Sequence, residues 1–150
     1  MLTVKQLLRS KGEQHSTLYH LTPDHTVMDA LKLMAKQNIG AVLVVEKGML
    51  VGIFSERDYA RRGNVTGEIC EKRQLRDLMT KRVFFIDPDK TMEDCMSLMS
   101  HKHIRHLPVM RDGQLLGMIT IRDVVNTLVS EQENRIRELE SYISGGYGGY

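Results

Sequence analysis

Apolar positions along the chain follow two spacings, and each spacing predicts a kind of element. Uninterrupted apolar runs at 41–45 and 50–54, separated by Lys47-Gly48, predict a hairpin of strands buried on both faces. From 27 to 34 apolar residues recur every three or four positions, which predicts one face of a helix. The predicted elements of this half are, in order, a strand at 18–21, a helix from 26 to about 38, strands at 41–45 and 50–54, and a helix from 55 to about 62.

The second half of the chain repeats this pattern without a gap. Pro23 corresponds to Pro88 and Asp58 to Asp123, both 65 positions apart, and many residues between them match at the same offset. Such a constant register indicates two copies of one structural unit. The second copy predicts strands at 83–86, 107–110 and 115–119, a turn at Asp112-Gly113, and helices at 91–100 and from 120 onward.

Segments outside the matched register complete the predicted organisation. The start of the chain at 4–8 corresponds to 75–79 at a larger offset, so the first copy holds six extra residues, predicted as a loop around 11–16. Residues 63–67 are predicted as a linker, 66–79 as mostly helical, and 123–143 as one long helix. We predict a first repeat with its N-terminal helix at 1–66, a second repeat at 67–130, a helical extension at 131–143 and a disordered Gly/Tyr tail at 144–150.

Composition narrows the classes of protein that this chain can represent. The 150 residues carry a net charge of only +2, which does not favour a nucleic-acid partner. No run of about 18 apolar residues predicts a membrane span. Cys70 and Cys95 are too few for a disulfide framework or a zinc site, and no signal-peptide pattern begins the chain. We therefore expect a cytoplasmic protein with reduced thiols.

Two strand-to-helix junctions have the same candidate chemistry. Ser55 and Thr120 each end an apolar strand, and Asp58 and Asp123 follow three residues later. The start of a helix exposes unpaired N–H groups that bind phosphate, and a carboxylate accepts two bonds from the cis hydroxyls of a ribose. The intervening Arg57 and Arg122 add charge-assisted bonds to phosphate. Both motifs are also ordinary capping boxes, which stabilise a helix by about 1 kcal/mol without any ligand.

The layout resembles a tandem pair of cystathionine β-synthase (CBS) domains, called a Bateman module. The resemblance is carried by the two junction segments at 52–58 and 117–123, by Leu-Arg-Asp-Leu-Met-Thr at 75–80, and by Ile-Arg-His-Leu-Pro-Val at 104–109. It implies an α+β fold of two βαββα repeats related by a pseudo-twofold axis. It also implies regulatory binding of adenosine ligands such as AMP, ADP, ATP, NAD or S-adenosylmethionine, with no obligatory cofactor.

The resemblance further implies that each ligand pocket is shared between the repeats. We expect the first pocket to be richer in cations and to prefer more phosphate, and the second to be smaller-walled and less charged. Apolar residues at Ile39, Ile86 and Ile104 are candidates to sandwich an adenine. The first pocket is expected to combine Ser55, Arg57 and Asp58 with Arg105, His106 and Pro108, and the second to combine Thr120, Arg122 and Asp123 with Thr22, Ile39, Gly40 and Ala41.

Other functions are weighed against this hypothesis. His101 and His103 are two residues apart and do not share a helix face, so no metal site is expected. No catalytic constellation is apparent, which disfavours the alternative of a phosphate-transferring enzyme. A ligand-free scaffold or dimerisation module is a second alternative. We expect a homodimer that signals to an effector protein, with a heptad-like stripe on the last helix as a candidate contact: Val125, Val129, Ile136, Leu139 and Ile143.

Overall fold

The computed structural model describes residues 2–11, 19–63 and 70–145. These residues form the expected α+β fold, with two small sheets flanked by helices. The helices are α1 (Val4–Lys11), α2 (Val27–Gln37), α3 (Glu56–Asp58), α4 (Leu75–Leu78), α5 (Met92–Lys102) and α6 (Ile121–Glu140). The strands are β1 (His20–Leu21), β2 (Ala41–Glu46), β3 (Met49–Ser55), β4 (His106–Arg111) and β5 (Gln114–Thr120), and π-helical turns at Tyr59–Gly63 and Ser141–Gly145 continue α3 and α6.

The two hairpins have the same geometry, as the repeat predicts. β2 pairs antiparallel with β3, and β4 with β5, so that Ala41 lies opposite Ser55 and His106 opposite Thr120. Both hairpin turns have two residues with positive φ, between 51° and 76°, the second of which is a glycine in each turn. The register therefore places the start of one strand beside the helix-starting end of its neighbour in each repeat.

The predicted strand at 83–86 does not form. Only Ile86 pairs, through an isolated parallel bridge to Val109, whereas in the first repeat β1 pairs with β2. The cause lies in β4, where Pro108 occupies the position that Leu43 holds in β2. The N–H of Leu43 donates a bond of 3.3 Å to the carbonyl of Tyr19, the residue just before β1, and proline has no N–H to donate. The second sheet is accordingly two-stranded.

The segment predicted as mostly helical at 66–79 is helical only in α4 among its described residues. The chain before α4 bonds instead to the start of α2, because the N–H groups of Val27 and Met28 donate to the carbonyls of Arg73 and Glu71 at 2.9 Å. The first N–H groups of a helix have no partner within it, so this extended segment supplies their acceptors.

Each hydrophobic core takes a helix from outside its own repeat. In the first core, α2, β2 and β3 pack against Leu75 and Leu78 of α4. In the second core, α5, β4, β5 and the start of α6 pack against Val4 and Leu7 of α1. The domain boundary at residue 66 stays a prediction. In the fold, two helices cross it: α4 lies after this boundary in sequence but packs in the first core, and α1 lies before it but packs in the second core. Each crossing helix ends close to one of the cavities described below.

Helix α6 begins in the second core and then leaves it. Val124 is fully buried, whereas every residue from 132 to 144 is exposed. The predicted stripe is exposed on this helix, from 40% at Val125 to 64% at Ile143. No helix in the described ranges is long and apolar enough to cross a membrane. Of the tail predicted as disordered at 144–150, Ser144 and Gly145 belong to the π-helical turn that follows α6. Residues 146–150, most of the predicted loop at 11–16 and most of the linker at 63–67 lie outside the described residues.

Candidate functional site

Both strand-to-helix junctions form the predicted capping boxes. Ser55 ends β3, its N–H donates to Asp58 Oδ2 at 2.9 Å, and its Oγ accepts from the N–H of Asp58 at 3.1 Å. At the start of α6, the N–H of Thr120 donates to Asp123 Oδ2 at 2.8 Å, and Thr120 Oγ1 accepts from the N–H of Asp123 at 3.2 Å. The two boxes hold both aspartates against the ends of their strands.

The same capping box also occurs where no cavity was predicted. Thr26 with Asp29 begins α2, and Thr91 with Asp94 begins α5, in equivalent geometry. Neither of these pairs lines the two cavities described next. A capping box alone is therefore not a ligand site in this fold, and what distinguishes Asp58 and Asp123 is the space around them.

The first cavity lies where the β3–α3 junction of the first repeat meets the α5–β4 junction of the second. Its volume is about 470 Å³. Arg57 of one repeat donates a 2.5 Å bond to the carbonyl of His103 in the other, so the wall is continuous between the repeats. The predicted residues that line this cavity are Ser55, Arg57, Asp58, Ile104, Arg105 and His106.

Positive charge dominates the first cavity. Five cationic side chains line it against two carboxylates, those of Glu56 and Asp58. One of the five, Arg62, is anchored near the carbonyls of Leu78 and Met79 at 3.4 and 3.3 Å. This excess of cations would attract a ligand with several negative charges. The five cations are Arg57, Arg61, Arg62, Lys102 and Arg105.

Asp58 has a partner that the repeat did not predict. Thr80 Oγ1 donates to Asp58 Oδ1 at 2.9 Å. Thr80 is fixed by two backbone bonds to Ile53, of 3.0 and 2.8 Å. Thr80 lines the first cavity and lies two residues after the end of the crossing helix α4.

The second cavity lies on the other side of the same cleft, where the β5–α6 junction meets the α2–β2 junction. Its volume is about 650 Å³. Only two cations line it among the described residues, Lys11 and Arg122, together with the carboxylate of Asp123. It is less charged than the first cavity, as expected. The predicted residues that line it are Thr120, Arg122, Asp123, Ile39, Gly40 and Ala41.

Lys11 occupies the position in the second cavity that Thr80 has in the first. Its Nζ donates to Asp123 Oδ2 at 2.7 Å and to the carbonyl of Met118 at 3.2 Å. Burial acts to raise the pKa of Asp123, but the hydrogen bond from Lys11 and the backbone bond at Thr120 outweigh it, so this pKa is lowered. Asp123 is thus held as a carboxylate paired with an ammonium.

Gly40 and His106 line both cavities and form the wall between them. A Cβ on Gly40 would lie 3.2 Å from His106 Nε2, so the imidazole packs directly against the backbone there. Burial lowers the pKa of His106, and Glu56 partly opposes this effect. The neutral imidazole is therefore favoured in the wall that the two cavities share.

Three predicted site residues lie outside both cavities. Ile86 is 6% exposed in the second core, and its N–H donates to the carbonyl of Pro108 at 3.0 Å. Pro108 is buried in β4 and lines neither cavity. Thr22 is exposed and bonds His25 at 2.9 Å through its hydroxyl. Of the three, only Pro108 lies in a strand, whereas Ile86 makes an isolated bridge and Thr22 follows the end of β1.

The structure adds residues that the sequence did not identify, chiefly Lys11, Tyr19, Glu56 and Thr80. Lys11 and Thr80 lie in the segments where the constant offset between the repeats fails, so register could not relate them. The short motif at 75–80 was the only available signal for Thr80. In the parts of the chain that the structure describes, no group of three or more His, Cys, Asp or Glu side chains is placed to hold a metal ion.

Comparison with known proteins identifies the family. The CBS domain model matches residues 15–63 and 75–130. The chain therefore belongs to the CBS domain family and contains a tandem pair of these domains.

Related proteins share nearly the full length of this chain. The mitochondrial CBS domain-containing protein CBSX3 of Arabidopsis thaliana is 36% identical over 97% of this chain and 73% of its own length. The crystal structure of a putative signal-transduction protein with CBS domains from Burkholderia ambifaria matches with a TM-score of 0.83 and 38% identity, over 87% of this chain and 96% of that one.

Two more distant structures share the fold and contain adenosine compounds. The CBS domain pair of MJ0100, in complex with 5'-methylthioadenosine and S-adenosyl-L-methionine, matches at a TM-score of 0.74 and 23% identity, over 87% of this chain and 98% of that one. CBSX2 in complex with AMP matches at 0.67 and 24%, over 88% of this chain and 99% of that one. At these identities the likeness establishes the fold alone.

Proposed function

We propose that this protein is a regulatory module that binds adenine nucleotides between its two CBS repeats. AMP, ADP, ATP or NAD is the effector, and a change of shape on binding signals to a partner protein. The observation that carries the proposal is the pair of cavities, each of which combines an aspartate and a helix start from one repeat with a helix-to-strand junction from the other. The adenosine compounds held by MJ0100 and CBSX2 support this ligand class.

The groups around each cavity match the three parts of a nucleotide. The N–H groups at a helix start and the adjacent hydroxyl of Ser55 or Thr120 are suited to phosphate. The carboxylate of Asp58 or Asp123 is suited to the ribose hydroxyls. Apolar side chains on the facing junction, such as Ile104, provide a surface for the base.

The two cavities are proposed to bind different ligands. The excess of cations in the first cavity favours ADP or ATP over AMP, because each added phosphate brings negative charge toward the arginines. The second cavity, with one carboxylate against two cations, suits a ligand with less charge.

Binding in either cavity would join groups from both repeats, and this provides the signal. A ligand that contacts both sides favours the arrangement of the repeats in which both sets of contacts are made, and so shifts the population toward it. We propose that an effector protein recognises that arrangement. The module acts by regulation rather than catalysis in this proposal, and the cytoplasm remains the predicted compartment.

We further propose that the protein is a homodimer held partly by α6. The exposed stripe follows heptad spacing, as in a coiled coil, although the polar Gln132 breaks its apolar seam. In a parallel pair, Arg135 of one copy would approach Glu140 of the other, an attractive contact at the flanks of the seam. Sedimentation velocity should show a dimer that Ile136→Asp dissociates; a monomer in the unsubstituted protein would contradict this part of the proposal.

The main experiment uses the four capping boxes as matched variants. Ligand at about 100 times its dissociation constant should stabilise the native protein by about 2.7 kcal/mol. We expect Asp58→Ala and Asp123→Ala to reduce the thermal shifts produced by AMP, ADP, ATP and NAD. Asp29→Ala and Asp94→Ala remove the same cap outside the cavities and should lower the starting Tm while keeping the ligand shifts.

The outcomes of this experiment separate the alternatives. Loss of the shift in all four variants would mean that the caps act only through stability. No shift in the unsubstituted protein with any of these nucleotides would contradict the proposal and favour a ligand-free scaffold. Turnover of ATP with added Mg²⁺, abolished by either cavity variant, would instead favour the phosphate-transferring enzyme.

A further inference from the structure

We propose that Lys11 makes the second cavity select nucleotides that carry a phosphate over nucleosides that lack one. This inference rests on the proposed function. Lys11 is the last residue of α1, and its ammonium lies inside the cavity, 2.7 Å from Asp123 Oδ2. The side chains of Lys11 and Asp123 are only 20% and 23% exposed, so solvent shields their charges incompletely.

The ammonium of Lys11 is bonded to the same carboxylate, that of Asp123, that would bind a ribose. Asp123 Oδ2 already accepts the N–H of Thr120 at 2.8 Å in addition to Lys11. A ribose hydroxyl that takes this oxygen therefore competes with the ammonium, whose other partner is the carbonyl of Met118 at 3.2 Å. A ribose whose two cis hydroxyls take both oxygens of Asp123 therefore weakens the ion pair, whatever else the ligand carries.

A phosphate on the ligand determines whether the ammonium of Lys11 finds a new partner after a ribose displaces it from Asp123. A neutral nucleoside leaves the ammonium without its carboxylate in a half-buried place, which is unfavourable. A nucleotide offers the ammonium a new anionic partner, because phosphate at the start of α6 lies next to the ribose that Asp123 holds. Loss of the ion pair is thus offset for AMP and not for adenosine.

The first cavity lacks this device. Asp58 has the hydroxyl of Thr80 as its partner at 2.9 Å, and a hydroxyl that yields to a ribose leaves no charge behind. Discrimination against nucleosides there would come from the arginines that line the cavity. Substitution of Lys11 should accordingly change ligand selection in the second cavity and leave the first unchanged.

Methyl NMR on the full chain can follow each cavity separately. The methyl group of Met118 reports on the second cavity, and those of Ile53 and Ile104 report on the first. AMP and adenosine would be titrated into the unsubstituted protein, Lys11→Leu, Lys11→Arg and Lys5→Leu. Lys5 is exposed on the same helix and lines neither cavity, so Lys5→Leu removes the same charge as a matched control.

The expected result is a change in the ratio of two affinities. At Met118, AMP should bind about tenfold or more tightly than adenosine, the size of one charge-assisted bond. Lys11→Leu should reduce this ratio to about threefold or less, chiefly by strengthening adenosine relative to AMP, and Lys11→Arg should retain it. Lys5→Leu should match the unsubstituted protein.

Four results would overturn the inference. Unchanged affinities of both ligands in Lys11→Leu would show that the ammonium does not select phosphate, and an equal loss of both affinities would show that it only supports the structure. Shifts at Ile53 and Ile104 without any at Met118 would leave the proposed function standing and refute the second site. No shift at any reporter would contradict the proposed function itself.

Discussion

The two cavities are built on the same plan and differ in the residue that partners the aspartate. In the first cavity a neutral hydroxyl, that of Thr80, bonds Asp58, and cations surround the pair. In the second cavity the only described cations are Arg122 and Lys11, and Lys11 bonds the aspartate itself. A duplicated motif thus produces two sites with different electrostatics for two reasons. Thr80 and Lys11, which partner the aspartates, come from the crossing segments. Extra cations of the first cavity, such as Arg61 and Arg105, have uncharged counterparts at the same offset, Asn126 and Gly40.

The largest effect that tests this comparison concerns the crossing helices. Leu75→Ala and Leu7→Ala should each destabilise the protein by about 2–5 kcal/mol, with Leu75 the larger because it is fully buried while Leu7 is 8% exposed. Chemical denaturation would measure both losses.

The same two variants should also separate the cavities. Leu75→Ala loosens the helix before Thr80 and is expected to weaken binding in the first cavity more than in the second, and Leu7→Ala, on the helix of Lys11, should do the reverse. Equal losses at both cavities would contradict the assignment of one crossing helix to each.

An intermediate effect is expected at a matched pair of glycines. A Cβ on Gly52 would lie 2.5 Å from Met79 Sδ and 3.2 Å from the backbone oxygen of Thr80. The three atoms nearest to a Cβ on Gly117 all belong to the side chain of Leu8, the closest at 2.7 Å. Gly52→Ala should therefore cost about 1–3 kcal/mol and Gly117→Ala less, because a side chain can turn away and a bonded backbone cannot. Thermal unfolding of the two variants would measure this, and a larger loss for Gly117→Ala would refute it.

The repeat explains why much of this architecture was predictable. One offset related Ser55 to Thr120 and Asp58 to Asp123, and local hydrogen bonding then formed all the predicted caps and both hairpin turns. The predictions failed where one residue changed the backbone, as Pro108 did by removing an N–H from β4, and where the offset no longer held. Lys11 and Thr80 reach the cavities only through packing between distant segments, which periodicity along the chain does not encode.

The smallest expected effect concerns the wall between the cavities. Burial lowers the pKa of His106, so the folded protein binds a proton less readily than the unfolded chain. Stability from this residue is present above the unfolded pKa of about 6.5 and is lost as the pH falls through the lower folded pKa. The groups that act on it are Glu56, Arg105, Asp123 and Asp58.

Thermal unfolding between pH 7.5 and pH 5 tests this assignment. The Tm should fall in the unsubstituted protein and fall less in His106→Gln. Bound nucleotide should make the fall in Tm of the unsubstituted protein smaller, because phosphate in either cavity favours the imidazolium of His106. Identical pH dependence of the Tm in the two proteins would show that protonation of His106 does not contribute to the fall.

Isothermal titration calorimetry with ATP and AMP, on the unsubstituted protein and on Asp58→Ala and Asp123→Ala, would show whether the two cavities bind nucleotides unequally. We expect two unequal sites, with ATP favouring the one that Asp58→Ala removes. ATP should lose affinity there more steeply with added salt, since more charge is neutralised. Two identical sites, or ATP binding that survives Asp58→Ala and disappears in Asp123→Ala, would contradict this expectation.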